Sequence, residues 1–231
     1  MMIAKYTLIR FFKKPLGLGI ACVLPLILMF IPDLWEDRAA LGGFSLVTFV
    51  VMASSFITSQ VILTDRLEGA LTRIMMAPVS RLQYLCEVLL ACMLPLMVQI
   101  MLVSGAGMIL HGWSVGFTLL LLLAYSLFAA ASVALAFMFY SFMKSKDAST
   151  AGLSIMLTLM ATIGGMFMPV TLFPQPIQWM ARVTPSFWVV EGYGQLMTYD
   201  IPTSAYWLSL GVLAGFTLLF LMVGGQKKIT Y

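Results

Sequence analysis

The sequence predicts an all-α membrane protein with six transmembrane helices, and composition and charge distribution both support this fold class. Of its 231 residues, 61% are hydrophobic and only 10% are charged, whereas a soluble domain carries about 25% charged residues. The apolar residues form six runs separated by charged residues or by Pro and Gly clusters. Intrinsic disorder is excluded, because disordered chains are poor in apolar residues and rich in charge.

The apolar runs define the predicted spans, since a transmembrane helix needs about 20 apolar residues. Six such spans leave too little of the 231 residues for a catalytic domain of ordinary size, so we expect a single transmembrane domain over residues 1–231. The predicted spans cover residues 16–32, 42–63, 84–110, 115–143, 149–169 and 205–224.

Basic residues predict the orientation. With both termini in the cytoplasm, 11 of the 13 Lys and Arg residues lie in inner segments. Only Arg38 and Arg182 lie in outer connections. This asymmetry follows the positive-inside rule and predicts a multi-pass protein of the cytoplasmic membrane. It also explains the net charge of +4 without a nucleic-acid partner.

The first fourteen residues are predicted to form an amphipathic helix. Mostly apolar residues recur at spacings of three and four, with Lys5 and Arg10 between them; they are Met2, Ile3, Tyr6, Ile9 and Phe12 or Lys13. Such a helix lies flat among the inner headgroups; the alternative is a frayed charged tail. A cleaved signal peptide is not expected, because no convincing cleavage site follows the apolar stretch.

The inner connection after the second span has the pattern of a short surface helix over residues 65–77. Leu67, Leu71 and Ile74 form an apolar stripe among charged residues, and Pro78 ends the helix. One interpretation is a snorkelling loop without a partner. The mixed acidic and basic face instead favours docking to another protein. The candidate docking residues are Asp65, Arg66, Glu68, Gly69 and Arg73.

The outer connection over residues 170–204 is strongly apolar and interrupted by prolines. These features predict a re-entrant hairpin of two short helices, near Gln175–Val183 and Ser186–Met197, that dips into the outer leaflet. Glu191 either snorkels to water or lines a pathway. The candidate residues of this hairpin are Pro174, Trp179, Pro185, Trp188 and Glu191.

Two spans carry stripes of small hydroxyl residues at helical spacing. Such residues allow close helix packing and hydrogen bonding in lipid, and they also suit a transport pathway. Both interpretations remain open for each stripe. The second span contributes Thr48, Ser55, Thr58 and Ser59, and the fifth contributes Thr150, Ser154, Thr158 and Thr162.

Several chemical functions are excluded. No phosphate-binding G-x-x-x-x-G-K-[ST] motif occurs. The 3 cysteines and single His111 are too scattered for a zinc site. Ser154 and His111 are predicted at opposite membrane faces, so they cannot form a nucleophile–base pair. The spans hold few charged residues and no asparagine, so they lack the chain of buried ionisable residues that an ion channel or proton relay would need. We therefore expect that the chain is not an enzyme.

Taken in this order, the features resemble the permease subunits of type-2 ABC exporters over essentially the whole chain. Two departures are Ala70, where the family commonly has threonine, and Gly194-Gln195, near which an arginine is often found. The resemblance rests on Lys14-Pro15 after the basic helix, the inner segment Glu68–Arg73 closed by Ala77-Pro78-Val79-Ser80, and the outer run Gly164–Pro169 followed by Phe173-Pro174, Trp179 and Thr184-Pro185.

The resemblance implies that the chain is one subunit of a larger transporter complex. Two copies of a separate ABC ATPase would bind ATP and Mg²⁺, and this chain would hold no cofactor. A second identical or related permease would complete the dimer within membrane lipid. The segment from Asp65 to Arg73 would contact the ATPase, and the second and fifth spans would line the pathway.

An apolar, methionine-rich route suits a hydrophobic or amphipathic cargo, such as a drug, an antimicrobial peptide or a lipid. The alternative function is a non-transporting membrane partner of an ABC ATPase, for example a sensor or a resistance subunit.

Overall fold

A computed structural model of the protein describes residues 23–31, 33–36, 42–67, 81–143, 145–199 and 201–226. These ranges are predominantly helical and contain no strand, which confirms the predicted all-α class for this part of the chain. Helical turns over 23–29 come first. The helices are then α1 (Asp33–Glu36), α2 (Gly42–Leu67), α3 (Arg81–His111), α4 (Val115–Phe142), α5 (Lys146–Ile163), α6 (Gln175–Ala181), α7 (Pro185–Tyr199) and α8 (Ser204–Gln226), with a 3₁₀ turn at Val170–Leu172 before α6.

Four of these helices are long and apolar enough to cross a membrane. They correspond to the second, third, fourth and sixth predicted spans. The qualifying stretches are Gly42–Asp65 in α2, Gln83–His111 in α3, Val115–Phe142 in α4 and Ser204–Gly225 in α8.

The other two predicted spans differ from these four. Helix α5 has 18 residues, begins with Lys146 and Asp147, and ends at Ile163, before the predicted end at 169. Of the first predicted span, residues 23–29 are helical, while residues 16–22 and 32 lie outside the described ranges. The predicted amphipathic helix over 1–14 also lies outside them.

Local sequence explains where α5 begins and ends. The Ser145 hydroxyl accepts a hydrogen bond from the Ala148 amide at 3.3 Å and caps the first turn. At the other end, Gly165 has a φ of +88°, a conformation that L side chains rarely adopt. The Met166 amide donates to Ala161 O at 2.9 Å. This pattern is a Schellman motif, which terminates the helix.

Hydrogen bonds between helices establish their directions. Tyr84, near the start of α3, bonds Asp65, near the end of α2, at 3.0 Å. Further along α3, the Cys92 thiol contacts Thr58 O, which lies further back along α2, so these two helices are antiparallel. Helix α4 runs parallel to α2, because Tyr125 in its first half donates to Phe44 O near the start of α2, and Tyr140 near its C-terminal end donates to Phe56 O further along α2.

Helix α8 runs parallel to α4, since Tyr206 donates to Leu120 O at 2.7 Å and Ser141 bonds Gly224 O at 3.4 Å. Helices α2, α4 and α8 therefore run in one direction.

Helix α4 lies at the centre of the described bundle and packs against α2, α3, α7 and α8. Its aromatic side chains fill the core, where Phe128 and Phe137 are fully buried. Helix α5 is peripheral by comparison, and its Ile155 side chain is 62% exposed. The bundle thus has a dense centre and one helix with a largely uncovered face.

Candidate functional site

The hydroxyl stripe of α2 is buried inside the chain. Thr48, Ser55 and Ser59 have no exposed surface, and Thr58 is 5% exposed. Each hydroxyl donates to a main-chain carbonyl of its own helix; the Thr48 hydroxyl, for example, reaches Phe44 O at 2.7 Å. These side chains therefore lie in helix contacts within one subunit, and their role in a pathway stays a prediction.

The hydroxyl stripe of α5 lies on the surface of the described chain. Thr150, Ser154 and Thr158 are exposed, and Thr162 is half-buried. Each hydroxyl donates to the carbonyl four residues earlier, at 2.9–3.1 Å. Because every donor is satisfied internally, the stripe offers hydroxyl oxygens as acceptors without leaving a polar hydrogen unpaired in lipid. This face can contact another helix or a polar ligand.

Asp65 lies near the C-terminal end of α2, the end predicted to face the cytoplasm, and is only 3% exposed. Its Oδ2 accepts a hydrogen bond from the Tyr84 hydroxyl at 3.0 Å, and Tyr84 is itself buried. The backbone of Arg66 continues α2. The other predicted docking residues, Glu68, Gly69 and Arg73, lie in residues 68–80, outside the described ranges. Asp65 therefore anchors the helix end from which this segment departs.

The outer hairpin contains α6 and α7, close to the two short helices that the sequence predicts. Pro174 precedes α6, and the buried Pro185 begins α7. Between them, the Arg182 guanidinium lies 5.0 Å from the centroid of the exposed Trp179 ring, a cation–π contact. The Trp188 indole N–H donates to Arg182 O at 2.8 Å. These contacts define the turn between the two helices.

Glu191 lies on α7 and is partly buried. Its Oε1 accepts a hydrogen bond from Gln195 Nε2 at 2.9 Å, and Gln195 Oε1 accepts from the Thr203 hydroxyl at 3.2 Å. Because the amide oxygen of Gln195 is occupied by Thr203, its NH₂ group is oriented toward the carboxylate. A polar chain thus leads from the start of α8 to Glu191.

Tyr193 attaches the hairpin to the bundle. Its hydroxyl lies 2.9 Å from Ser45 Oγ near the start of α2, and both residues are buried. Burial raises the pKa of the Tyr193 phenol to about 12, so the group stays protonated. Sequence reasoning missed this contact, although Val189, Val190, Tyr193 and Leu196 form a buried helical stripe.

Aromatic side chains cluster at the same end of the bundle. The Phe44 ring lies 5.0 Å from that of Trp35 and 5.2 Å from that of Trp113, measured between centroids. His111 ends α3 beside them, with its Nε2 3.1 Å from Met29 O. Such belts are typical of a membrane–water interface. Asp65 lies 21 residues beyond Phe44 along α2, roughly 30 Å away at 1.5 Å per residue.

Among the residues described, no group of three or more His, Cys, Asp or Glu side chains is placed to hold a metal ion. Cys92 is buried in α3, and its thiol contacts Thr58 O at 3.7 Å. Its position is that of a small packing residue.

The sequence matches the family model described as "ABC-2 family transporter protein" over residues 38–225. The chain therefore belongs to this family and is a membrane-embedded ABC transporter permease, which confirms the resemblance seen in the sequence. A comparison with curated proteins finds no significant match.

Proposed function

We propose that the chain is the permease subunit of an exporter that moves hydrophobic or amphipathic compounds across the cytoplasmic membrane. A separate ABC ATPase, present in two copies with ATP and Mg²⁺, drives the movement. A second copy of this permease, or a related one, completes the pathway. The observation that carries this proposal is the exposed hydroxyl face of α5 in a chain of the ABC-2 family.

The exposed side chains of α5 support the proposal that a second permease subunit contacts this helix. Its exposed hydroxyls alternate with exposed apolar side chains, including Ile155 and Leu159. Small polar residues in membranes generally face another helix or a water-filled cavity. A partner permease facing α5 would supply either environment, and an amphipathic cargo would meet both hydroxyl oxygens and apolar groups there.

The contacts at the two ends of α2 support the proposal that this helix connects the two membrane faces mechanically. Its inner end is held by the buried pair Asp65–Tyr84, and its outer end contacts the hairpin through Ser45 and Tyr193. A displacement of the predicted docking segment would therefore act on a helix that touches the hairpin directly. Nucleotide shifts this equilibrium only if the ATPase binds one permease state more tightly than the other.

Transport by the reconstituted complex tests this proposal. The full chain and its ATPase are incorporated into inside-out vesicles, and ATP hydrolysis is measured alongside the uptake of labelled compounds. The panel contains amphipathic peptides, lipophilic drugs, fluorescent lipids and hydrophilic sugars. We expect amphipathic compounds to raise the rate of ATP hydrolysis and to accumulate inside the vesicles. Sugars should neither raise the rate of hydrolysis nor accumulate.

An ATPase variant that binds but does not hydrolyse ATP provides the control, because it should abolish accumulation. A complex that hydrolyses ATP but moves none of the compounds would overturn the export proposal. That result would favour the non-transporting sensor or resistance subunit.

A further inference from the structure

A cavity of about 640 Å³ lies within the outer hairpin, bounded by the turn after α5 and by α6 and α7. Its volume falls within the range of small-molecule sites. The lining combines apolar side chains with two residues of opposite charge. The apolar lining includes Phe187, Val190 and Met197, and the charged residues are Arg182 and Glu191.

The two charged residues are not paired with each other. Arg182 stacks on Trp179, while Glu191 accepts a hydrogen bond from the neutral Gln195 amide. Within the described ranges, no ion pair within 4.0 Å involves either residue. A partly buried carboxylate without a cation is costly. A ligand that brings a positive group to Glu191 would offset this cost.

The carboxylate is oriented by the polar chain through Gln195 and Thr203, rather than left to rotate freely. Gln195 occupies Oε1, whereas no described residue donates to Oε2. The Arg182 guanidinium is held by the Trp179 ring and retains its N–H donors, which suit a phosphate group. The site therefore offers one negatively charged hydrogen-bond acceptor, the Glu191 carboxylate, and one positively charged group with several N–H donors, the Arg182 guanidinium.

From this arrangement we infer that the cavity binds an amphiphile whose head group carries both an ammonium and a phosphate. The ammonium contacts Glu191 and the phosphate contacts Arg182, while the apolar chain lies against Phe187, Val190 and Met197. Such a molecule is either a bilayer lipid or a transported cargo. This binding requires neither the ATPase nor transport, so it goes beyond the proposed function.

Three short-chain amphiphiles with matched tails test the inference on the purified full chain in detergent. One carries phosphocholine, one carries only a phosphate monoester, and one carries only a trimethylammonium group. We expect Glu191→Gln to weaken binding of the first and third about tenfold, the size of a lost charged contact. Arg182→Gln should weaken binding of the first and second by a similar factor.

Matched controls come from Lys146 and Asp147, a pair of exposed charges at the start of α5. Lys146→Gln and Asp147→Asn should leave all three dissociation constants unchanged. Arg182→Lys should restore part of the phosphate affinity, because it returns the charge. Thermal unfolding of every variant is measured, so that lost binding is compared only among folded proteins.

Unchanged affinity for phosphocholine in both Glu191→Gln and Arg182→Gln would overturn the inference. Equal losses for all three amphiphiles would also overturn it, since the cavity would then recognise only the tails. If the phosphocholine compound binds as expected, transport in vesicles with the ATPase distinguishes its source: accumulation indicates a cargo, and binding without accumulation indicates a resident lipid. Failure of this binding leaves the export proposal untouched, because the two are measured separately.

Discussion

At the scale of single residues, buried tyrosine hydroxyls provide polar links between the helices. Tyr84, Tyr125, Tyr140 and Tyr206 each donate to a group on another helix at 2.7–3.1 Å. A polar group in an apolar interior is costly unless it is bonded, so each link favours one arrangement of its two helices.

Tyr193→Phe tests the link between the hairpin and α2. The substitution removes the hydroxyl bonded to Ser45 but keeps the buried ring. We expect a loss of about 1 kcal/mol in the free energy of unfolding, the usual contribution of one hydrogen bond, measured by unfolding in detergent. Tyr199→Phe is the control, because Tyr199 is 57% exposed and should give no change. Equal stabilities for the two variants would exclude an energetic role for this bond.

Gln99→Leu tests a buried amide in α3. Gln99 is 1% exposed, and its Nε2 has no hydrogen-bond partner in the described chain. Replacing it with an apolar side chain of similar size removes an unsatisfied donor, so we expect the variant to be about 1 kcal/mol more stable. Thermal unfolding of the detergent-solubilised protein measures the change. Destabilisation by a comparable amount would mean that the amide is bonded in the assembled protein.

At the scale of elements, the termination of α5 depends on Gly165. A Cβ there would meet Val170 Cγ2 at 2.8 Å, and the φ of +88° is unfavourable for any L side chain. We expect Gly165→Ala to cost about 2 kcal/mol of stability. Gly116→Ala is the control, since nothing lies within 4 Å of its added Cβ. Similar unfolding temperatures for both variants would contradict this account of the turn.

The two hydroxyl stripes should respond differently to enlargement. Ser55→Leu forces a larger side chain into a fully buried site and should cost about 1–3 kcal/mol. Thr158→Leu changes an exposed site and should leave stability unchanged while it reduces transport of amphipathic compounds. Unfolding and vesicle uptake are measured on both variants. Normal transport by a folded Thr158→Leu protein would contradict the prediction that α5 lines the pathway.

Sequence periodicity located the helices but could not assign these stripes. Both stripes repeat hydroxyls at helical spacing, yet Ser55 is buried and Ser154 is exposed. The difference arises from tertiary neighbours, because α2 packs against the central α4 whereas most of α5 stays uncovered. The early end of α5 depends on a left-handed glycine, and nothing in an apolar run marks which glycine adopts that conformation.

The sequence also predicts only part of the site in the hairpin. Proline spacing and aromatic content predict the two hairpin helices, and the position of Glu191 in this apolar segment predicts an acidic side chain near lipid. From the sequence alone, Arg182 is predicted only to be a basic residue of an outer connection. Its place in the same cavity as Glu191 depends on how α6 turns into α7, which local sequence does not specify.

At the scale of the whole molecule, α2 joins two regions that are about 30 Å apart. One is the Asp65–Tyr84 pair, beside the segment predicted to contact the ATPase, and the other is the hairpin that contains the cavity. A single rigid helix between them is the simplest physical route for coupling, since a packed helix moves as a unit rather than deforming.

The ratio of compound transported to ATP hydrolysed tests the central claim most directly. It is measured in vesicles for Glu68→Ala, Arg73→Ala and the outer control Arg38→Ala, each with the ATPase. We predict that the first two variants insert normally and retain ATP hydrolysis, while their transport ratio falls at least tenfold and that of Arg38→Ala is unchanged. An unaltered ratio in both Glu68→Ala and Arg73→Ala would contradict the claim that this segment transmits the work of the ATPase.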